Sequence, residues 1–368
     1  MHVTTRIPGH KHDGLLAEKG FRGFPTLAFM DAEGNVVAQP QARTVASFGK
    51  TRDAIGTHAD LTKRIEAGEE GLDAELLLAE HALGKVRGDA FKTRAEAITK
   101  ATDEQKAAIA TILTDEEIMQ TAMNARRGGM EAAAKALLAM DEAGKRPSTQ
   151  RAKQMFWGTL GSYAVESRDP ALAKRAADGM KGALAADKSA GAMNYVKGFE
   201  ERATKLASWK DFSKKAEGGD ASAKVEVALL EMDLGYIRGA DVATKAQELM
   251  ESADEGQKAR LTEAMVKMEF QEQLMVARQR RAGALEEAAK AILALLDAGK
   301  SPVGDQKLMV WSTIARYGMM SKNPDLLEKA ADGFAATGDP RVKDAPKSLR
   351  ENAAKMRAEQ KPADGAGG

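Results

Sequence analysis

The sequence of 368 residues contains no cysteine, which excludes disulfide staples, thiolate metal sites and a cysteine nucleophile in this chain. Aromatic residues supply only 5% of it, while alanine dominates, a balance that favours helix packed on helix. Neither sign of charge prevails: 55 Lys and Arg against 54 Asp and Glu leave a formal net charge of +1. There is thus no broad basic surface to neutralise phosphates, which argues against nucleic acid as a partner. No stretch reaches the roughly 18 apolar residues of a membrane span, and Met1 does not open a charged leader followed by an apolar run. The expected compartment of the chain as written is therefore the cytoplasm. What is present, 43% hydrophobic and 30% charged residues, suffices for a core divided over two or more domains.

The first part of the chain differs in texture from the rest. Val3 to Ile7, Thr26 to Met30 and Val36 to Ala38 carry strand signals, and Asp31-Ala32-Glu33-Gly34-Asn35 between the last two predicts an antiparallel hairpin. Leu15 to Lys19, closed by Gly20, predicts a short helix. A strand beginning at the first residue leads to the expectation that sequence is missing before Met1.

From about Thr51 the pattern is helical and repeats itself over a long period. Met130 to Lys145 (MEAAAKALLAMDEAGK) matches Leu285 to Lys300 (LEEAAKAILALLDAGK), identical at ten of sixteen positions. The register extends downstream, where Tyr163, Pro170 and Ala176-Ala177-Asp178-Gly179 answer to Tyr317, Pro324 and Ala330-Ala331-Asp332-Gly333. Upstream, Glu80, Leu83-Gly84 and Arg87-Gly88 answer to Glu231, Leu234-Gly235 and Arg238-Gly239. Matching over some 100 residues with only loop-sized slips identifies a tandem duplication of a multi-helix unit. Helix starts are predicted at Ser148 or Thr149, at Ser301-Pro302, and at Asp169-Pro170 and Asn323-Pro324. Capping boxes are predicted at Thr102 to Gln105 and at Thr114 to Glu117. Leu285, Ala289, Ile292 and Leu296 share one helix face.

Trp157-x-x-Leu160-Gly161-x-x-Ala164, followed by Ala173 and Ala177, resembles the tetratricopeptide pattern of large and small residues, although Ala164 replaces the usual tyrosine and the second copy keeps only Trp311, Ile314 and Ala315. Gly23-Phe24-Pro25-Thr26, followed by a strand, an acidic glycine turn and a second strand, resembles the C-terminal half of the thioredoxin fold. That resemblance implies a cis Phe24-Pro25 bond and a groove where Phe24, Pro25 and Thr26 meet an extended peptide. It covers roughly 60 residues and lacks the half that would carry Cys-x-x-Cys. Two explanations stay open: a chain begun too late, descended from an exported thiol-disulfide oxidoreductase with a periplasmic or extracytoplasmic home, or a fragment kept as a structural cap.

Other candidates for chemistry read as ordinary surface. His10-Lys11-His12, with His2 nearby, is a solvated loop without the ligands of a metal site, and His58 and His81 sit on helices facing solvent or an amide. Gly299-Lys300-Ser301 fails as a phosphate loop because a helix precedes it and Ala294 takes the place of the earlier glycine. Arg126-Arg127 and Arg278-Gln279-Arg280-Arg281 read as cationic last turns of long helices. Met265, Met268, Met275, Met319 and Met320 fall at helical spacing as core filler, a methionine-lined groove being the other reading.

Together these give a mainly α chain: a partial thioredoxin-like α/β piece (1–66), helical repeat units at 67–210 and 211–356, and a disordered tail (357–368). The expected function is a thioredoxin-like protein with a helical protein-interaction region, redox-inactive for want of cysteine. A non-enzymatic tetratricopeptide-like scaffold is the alternative. The expected partner is a protein or peptide client, with no catalytic residue, metal or cofactor.

Overall fold

A computed structural model of the chain describes residues 14–23, 26–40 and 44–360. The predicted strand Val3 to Ile7, the histidines at 2, 10 and 12, Phe24, Pro25 and residues 361–368 lie outside them. The order begins α1 (Leu15–Glu18), β1 (Phe29–Met30), β2 (Val36–Ala38) and α2 (Val45–Glu66). β1 and β2 pair antiparallel as a two-stranded sheet. Their turn is set by Asp31, whose carboxylate accepts from the Asn35 backbone N–H (2.7 Å) and from Asn35 Nδ2 (3.0 Å). The Phe29 ring lies 5.8 Å from that of Phe48 of α2, tilted by 51°, a contact that fastens the hairpin to the helical part. Two strands alone are marginal in water, so this anchorage is what holds them.

The rest is helical: α3 (Asp73–Ala82), α4 (Gly88–Ala97), α5 (Asp103–Asn124), α6 (Met130–Glu142), α7 (Gln150–Glu166), α8 (Pro170–Ala183) and α9 (Ala190–Glu217). The series then recurs as α10 (Ala221–Leu234), α11 (Ala240–Leu249), α12 (Glu255–Ala277), α13 (Ala284–Asp297), α14 (Gln306–Met320), α15 (Pro324–Thr337) and α16 (Ala345–Gln360). The break between the two series is the turn Gly218-Gly219, since α9 runs on through position 210, and α16 keeps residues 357–360 helical. No helix of the described residues is long and apolar enough to cross a membrane.

The two series of helices match down to single hydrogen bonds. α5 and α12 both open with capping boxes, Thr102 with Gln105 and Asp254 with Gln257. Asp169 Oδ1 accepts from the N–H groups of Ala171 and Leu172, and Asn323 Oδ1 from those of Asp325 and Leu326, each ahead of a proline at the first helical position. The residues just before these caps, Arg168 and Lys322, are the two non-glycine residues at positive φ among those described. Lys145 reaches Glu117 at 3.1 Å, and Lys300 reaches Glu269 at 2.7 Å. Most telling, the Trp157 ring lies directly against Gly179 and the Trp311 ring against Gly333. A Cβ at either glycine would come within 2.1 Å of ring carbons.

The chain forms two compact units, one running through Tyr163 and taking in Asp178–Met193, the other made of Ala164–Ala177 and Asn194 onward. In the first, Ala74, Leu77, Val86, Phe91 and Ile109 form a core beneath α3, α4 and α5. In the second, Val225, Leu229, Ala246, Ala253 and Leu261 do the same beneath α10, α11 and α12, and Phe270, Ile292, Val310, Ile314 and Phe334 close a further core with α13 to α15. Each fully buried side chain of this size contributes about 1.5–3 kcal/mol. Also in the second unit, the Arg168 guanidinium lies 4.8 Å from the Trp209 ring and 4.5 Å from the Tyr236 ring, and 3.3 Å from Glu231. Those contacts offset the roughly 1 kcal/mol that a left-handed backbone costs a non-glycine residue.

Three local expectations are corrected. Thr114 caps nothing, because α5 runs unbroken through it; the neighbouring Asp115 is instead buried and caps α7, accepting from Ser148 N, Ser148 Oγ and Thr149 N at 2.7, 2.8 and 2.9 Å. Ser301-Pro302 opens no helix, since Gly304 at φ +53 turns the chain and α14 begins only at Gln306. The arginine clusters lie just past α5 and α12 rather than in their last turns, where Arg127 leaves helical geometry and Gly128 takes φ +96.

Candidate functional site

Gly84 and Gly235 end α3 and α10 with φ of +75 and +78, a conformation glycine reaches without steric cost. In the space that a side chain would fill, the guanidinium three residues on folds back. Arg87 Nη2 lies 3.1 Å, and Arg238 Nε 3.2 Å, from where a Cβ would stand. The folded-back arginine and the following Gly88 or Gly239 form one lip of a groove. α5 or α12 forms its floor, and the start of α7 or α14 its far end.

The two grooves therefore occupy the same place in the two copies. The first, of about 660 Å³, is lined by Arg87, Lys92, Glu116, Met119, Met123, Arg151 and Met155, among others. The second, of about 870 Å³, is lined by Met232, Arg238, Val242, Lys267, Met268, Met275 and Gln306, among others. Met123 and Met275, at matching positions, are 42% and 58% exposed, so both present thioethers to solvent rather than to the core. Of the methionines expected as core filler, Met265 packs against the second core, whereas Met319 and Met320 are also exposed.

The electrostatics of the first groove centre on Glu116. Its carboxylate accepts from the Gly88 N–H at 2.9 Å, holding the start of α4 to α5, and lies 3.7 Å from His81 Nε2. His81 stands edge-on to Phe91 at 4.9 Å, so the helical histidine expected to face solvent or an amide is half-buried in an aromatic contact. Burial pushes its pKa below the ordinary 6.5, Glu116 opposing and Arg87 adding to the shift. His58 is displaced the same way, by burial and by Lys85, whose Nζ is 3.2 Å away. Both imidazoles thus favour the neutral form in the fold. The unfolded chain takes up protons first, and stability present above the ordinary histidine range is lost as pH falls through it. The melting temperature is expected to drop between about pH 7 and pH 5.5, before carboxylates titrate, and to drop less in His81→Gln. An equal drop in that variant would remove His81 from the account.

Among the described residues no three His, Asp or Glu side chains come together as a metal site. Thr26, the one described member of the expected peptide-binding trio, is half-buried, donates its hydroxyl to the Gly23 carbonyl and lines neither groove. The sequence reading had a methionine-lined groove as its second account of Met268 and Met275, which line the second groove, but it missed the other groove residues, although the paired Leu-Gly-x-x-Arg-Gly was visible as a repeat. Its arginine marks the lip in both copies. Set against models of known protein families, against curated proteins and against solved structures, the chain has no match.

Proposed function

We propose that the chain is a protein-interaction scaffold whose binding surface is the pair of equivalent grooves, each taking an amphipathic segment of a client. The observation that carries this reading is the recurrence of one concave, methionine-lined surface at one register of a duplicated array. Methionine side chains are flexible and polarizable, which suits surfaces that accept more than one apolar sequence. Repeat arrays commonly use such surfaces for recognition. The chain has no thiolate, so disulfide exchange is no part of the proposal.

A second reading keeps the thioredoxin-like resemblance and places the client beside Phe24, Pro25 and Thr26. It is supported by the helix, hairpin, helix order over 15–66 and by the edge of β1 away from β2, which pairs with no strand among the described residues. Peptides selected from a random library on the full chain separate the two. On the groove reading, Met123→Glu together with Met275→Glu weakens them about tenfold or more and Pro25→Ala leaves them bound. Loss with Pro25→Ala alone would move the client to the hairpin.

A further inference from the structure

The two grooves match in place but not in free charge, and we infer that the first is selective for an acidic amphipathic peptide. This rests on the reading of the grooves as peptide sites. In the first groove Glu116 is held by the Gly88 N–H and faces His81, and Glu117 is paired with Lys145. Three exposed cations, Arg87, Lys92 and Arg151, have no ion-pair partner among the described residues, and they outnumber the two carboxylates of the lining that no cation pairs, Asp89 and Glu116, the latter held back by the Gly88 N–H. In the second groove Arg260 is paired with Glu226 and Asp233 with Lys205. What remains there is balanced, Arg238 and Lys267 against Glu263 and Glu272.

The cations rim a floor that includes Met119, Met123 and Leu113, so a ligand satisfies both only if it carries carboxylates beside an apolar face. A helix with Leu or Met on one side and Glu on the other has that form. Single-stranded nucleic acid fits the charge less well than it first suggests, because its bases stack on aromatic rings and this lining has none. Rim charges are screened by salt, so the selectivity is expected to fade as salt is added.

Fluorescence anisotropy on the full chain tests this with two labelled amphipathic peptides, identical on the apolar face and bearing either Glu or Lys on the polar one. The Glu peptide is expected to bind about tenfold tighter at low salt, and Lys92→Glu with Arg151→Glu is expected to reverse the order. Both positions are exposed and unpaired, so the variant should fold, and its circular dichroism melt confirms that it does. Equal affinity for both peptides, lost in both with Met123→Glu, would overturn the charge selectivity and leave the peptide site standing. Binding of neither peptide would overturn the site itself. Displacement of the Glu peptide by a poly-dT oligonucleotide at equal or lower concentration would reassign the groove to nucleic acid.

Discussion

Gly333→Ala is expected to destabilise the protein by about 2–3 kcal/mol, although alanine is the better helix former. The added methyl would stand 2.1 Å from the Trp311 ring, and the displaced carbons belong to the fused ring rather than to a flexible end. Either the ring leaves its rotamer or α14 and α15 separate, and both forfeit contacts across a packed face. In urea unfolding followed by circular dichroism the midpoint should fall, with the melting temperature down by about 5 °C or more. Trp311→Leu makes room for the methyl, so adding Gly333→Ala to it should cost little, a non-additive pair. Gly179→Ala with Trp157→Leu should repeat the pattern in the first copy. A Gly333→Ala midpoint at or above that of the parent would show that no close ring contact exists.

Asp115→Ala is expected to cost about 1–3 kcal/mol, and this loss has no counterpart in the second copy. The carboxylate is 4% exposed and accepts three hydrogen bonds at the start of α7, so its removal takes from the Ser148 and Thr149 N–H groups the acceptor that caps this helix and ties it to α5. Asp115→Asn keeps one acceptor oxygen and should recover part of the loss. At the matching position α12 carries Lys267, whose exposed side chain caps nothing; only its carbonyl is used, accepting from Gln306 Nε2 at 2.8 Å. Lys267→Ala should therefore change stability by no more than about 0.5 kcal/mol. Equal effects of the two substitutions in denaturant titrations would contradict the asymmetry.

The parts of the fold written in local sequence were readable, and the parts written in distant pairs were not. Asp169-Pro170 and Asn323-Pro324 announce helix starts because cap and proline act within one turn of themselves. The hairpin is signalled in the same way by Asp31 and Asn35. Asp115, by contrast, lies in a Thr-Asp-Glu-Glu run with the look of a local cap, while its partners stand 33 and 34 residues on. Tertiary packing kept α5 continuous, and the carboxylate went to another helix. The Trp157 and Gly179 contact has the same character: the Ala-Ala-Asp-Gly repeat was visible, but its glycine gave no sign of the ring above it. A methionine-lined groove stayed one of two readings because helical spacing alone cannot tell an outward methionine such as Met275 from an inward one such as Met265.

Methyl-resolved NMR of the full chain, with methionine methyls labelled and a library-selected peptide titrated in, tests the scaffold reading most directly. The expected result is that signals of Met119, Met123 and Met155, or of Met232, Met268 and Met275, shift together while those of Met319 and Met320 stay fixed. Shifts confined to Met30 on the open edge of β1, or to methionines outside both grooves, would contradict it.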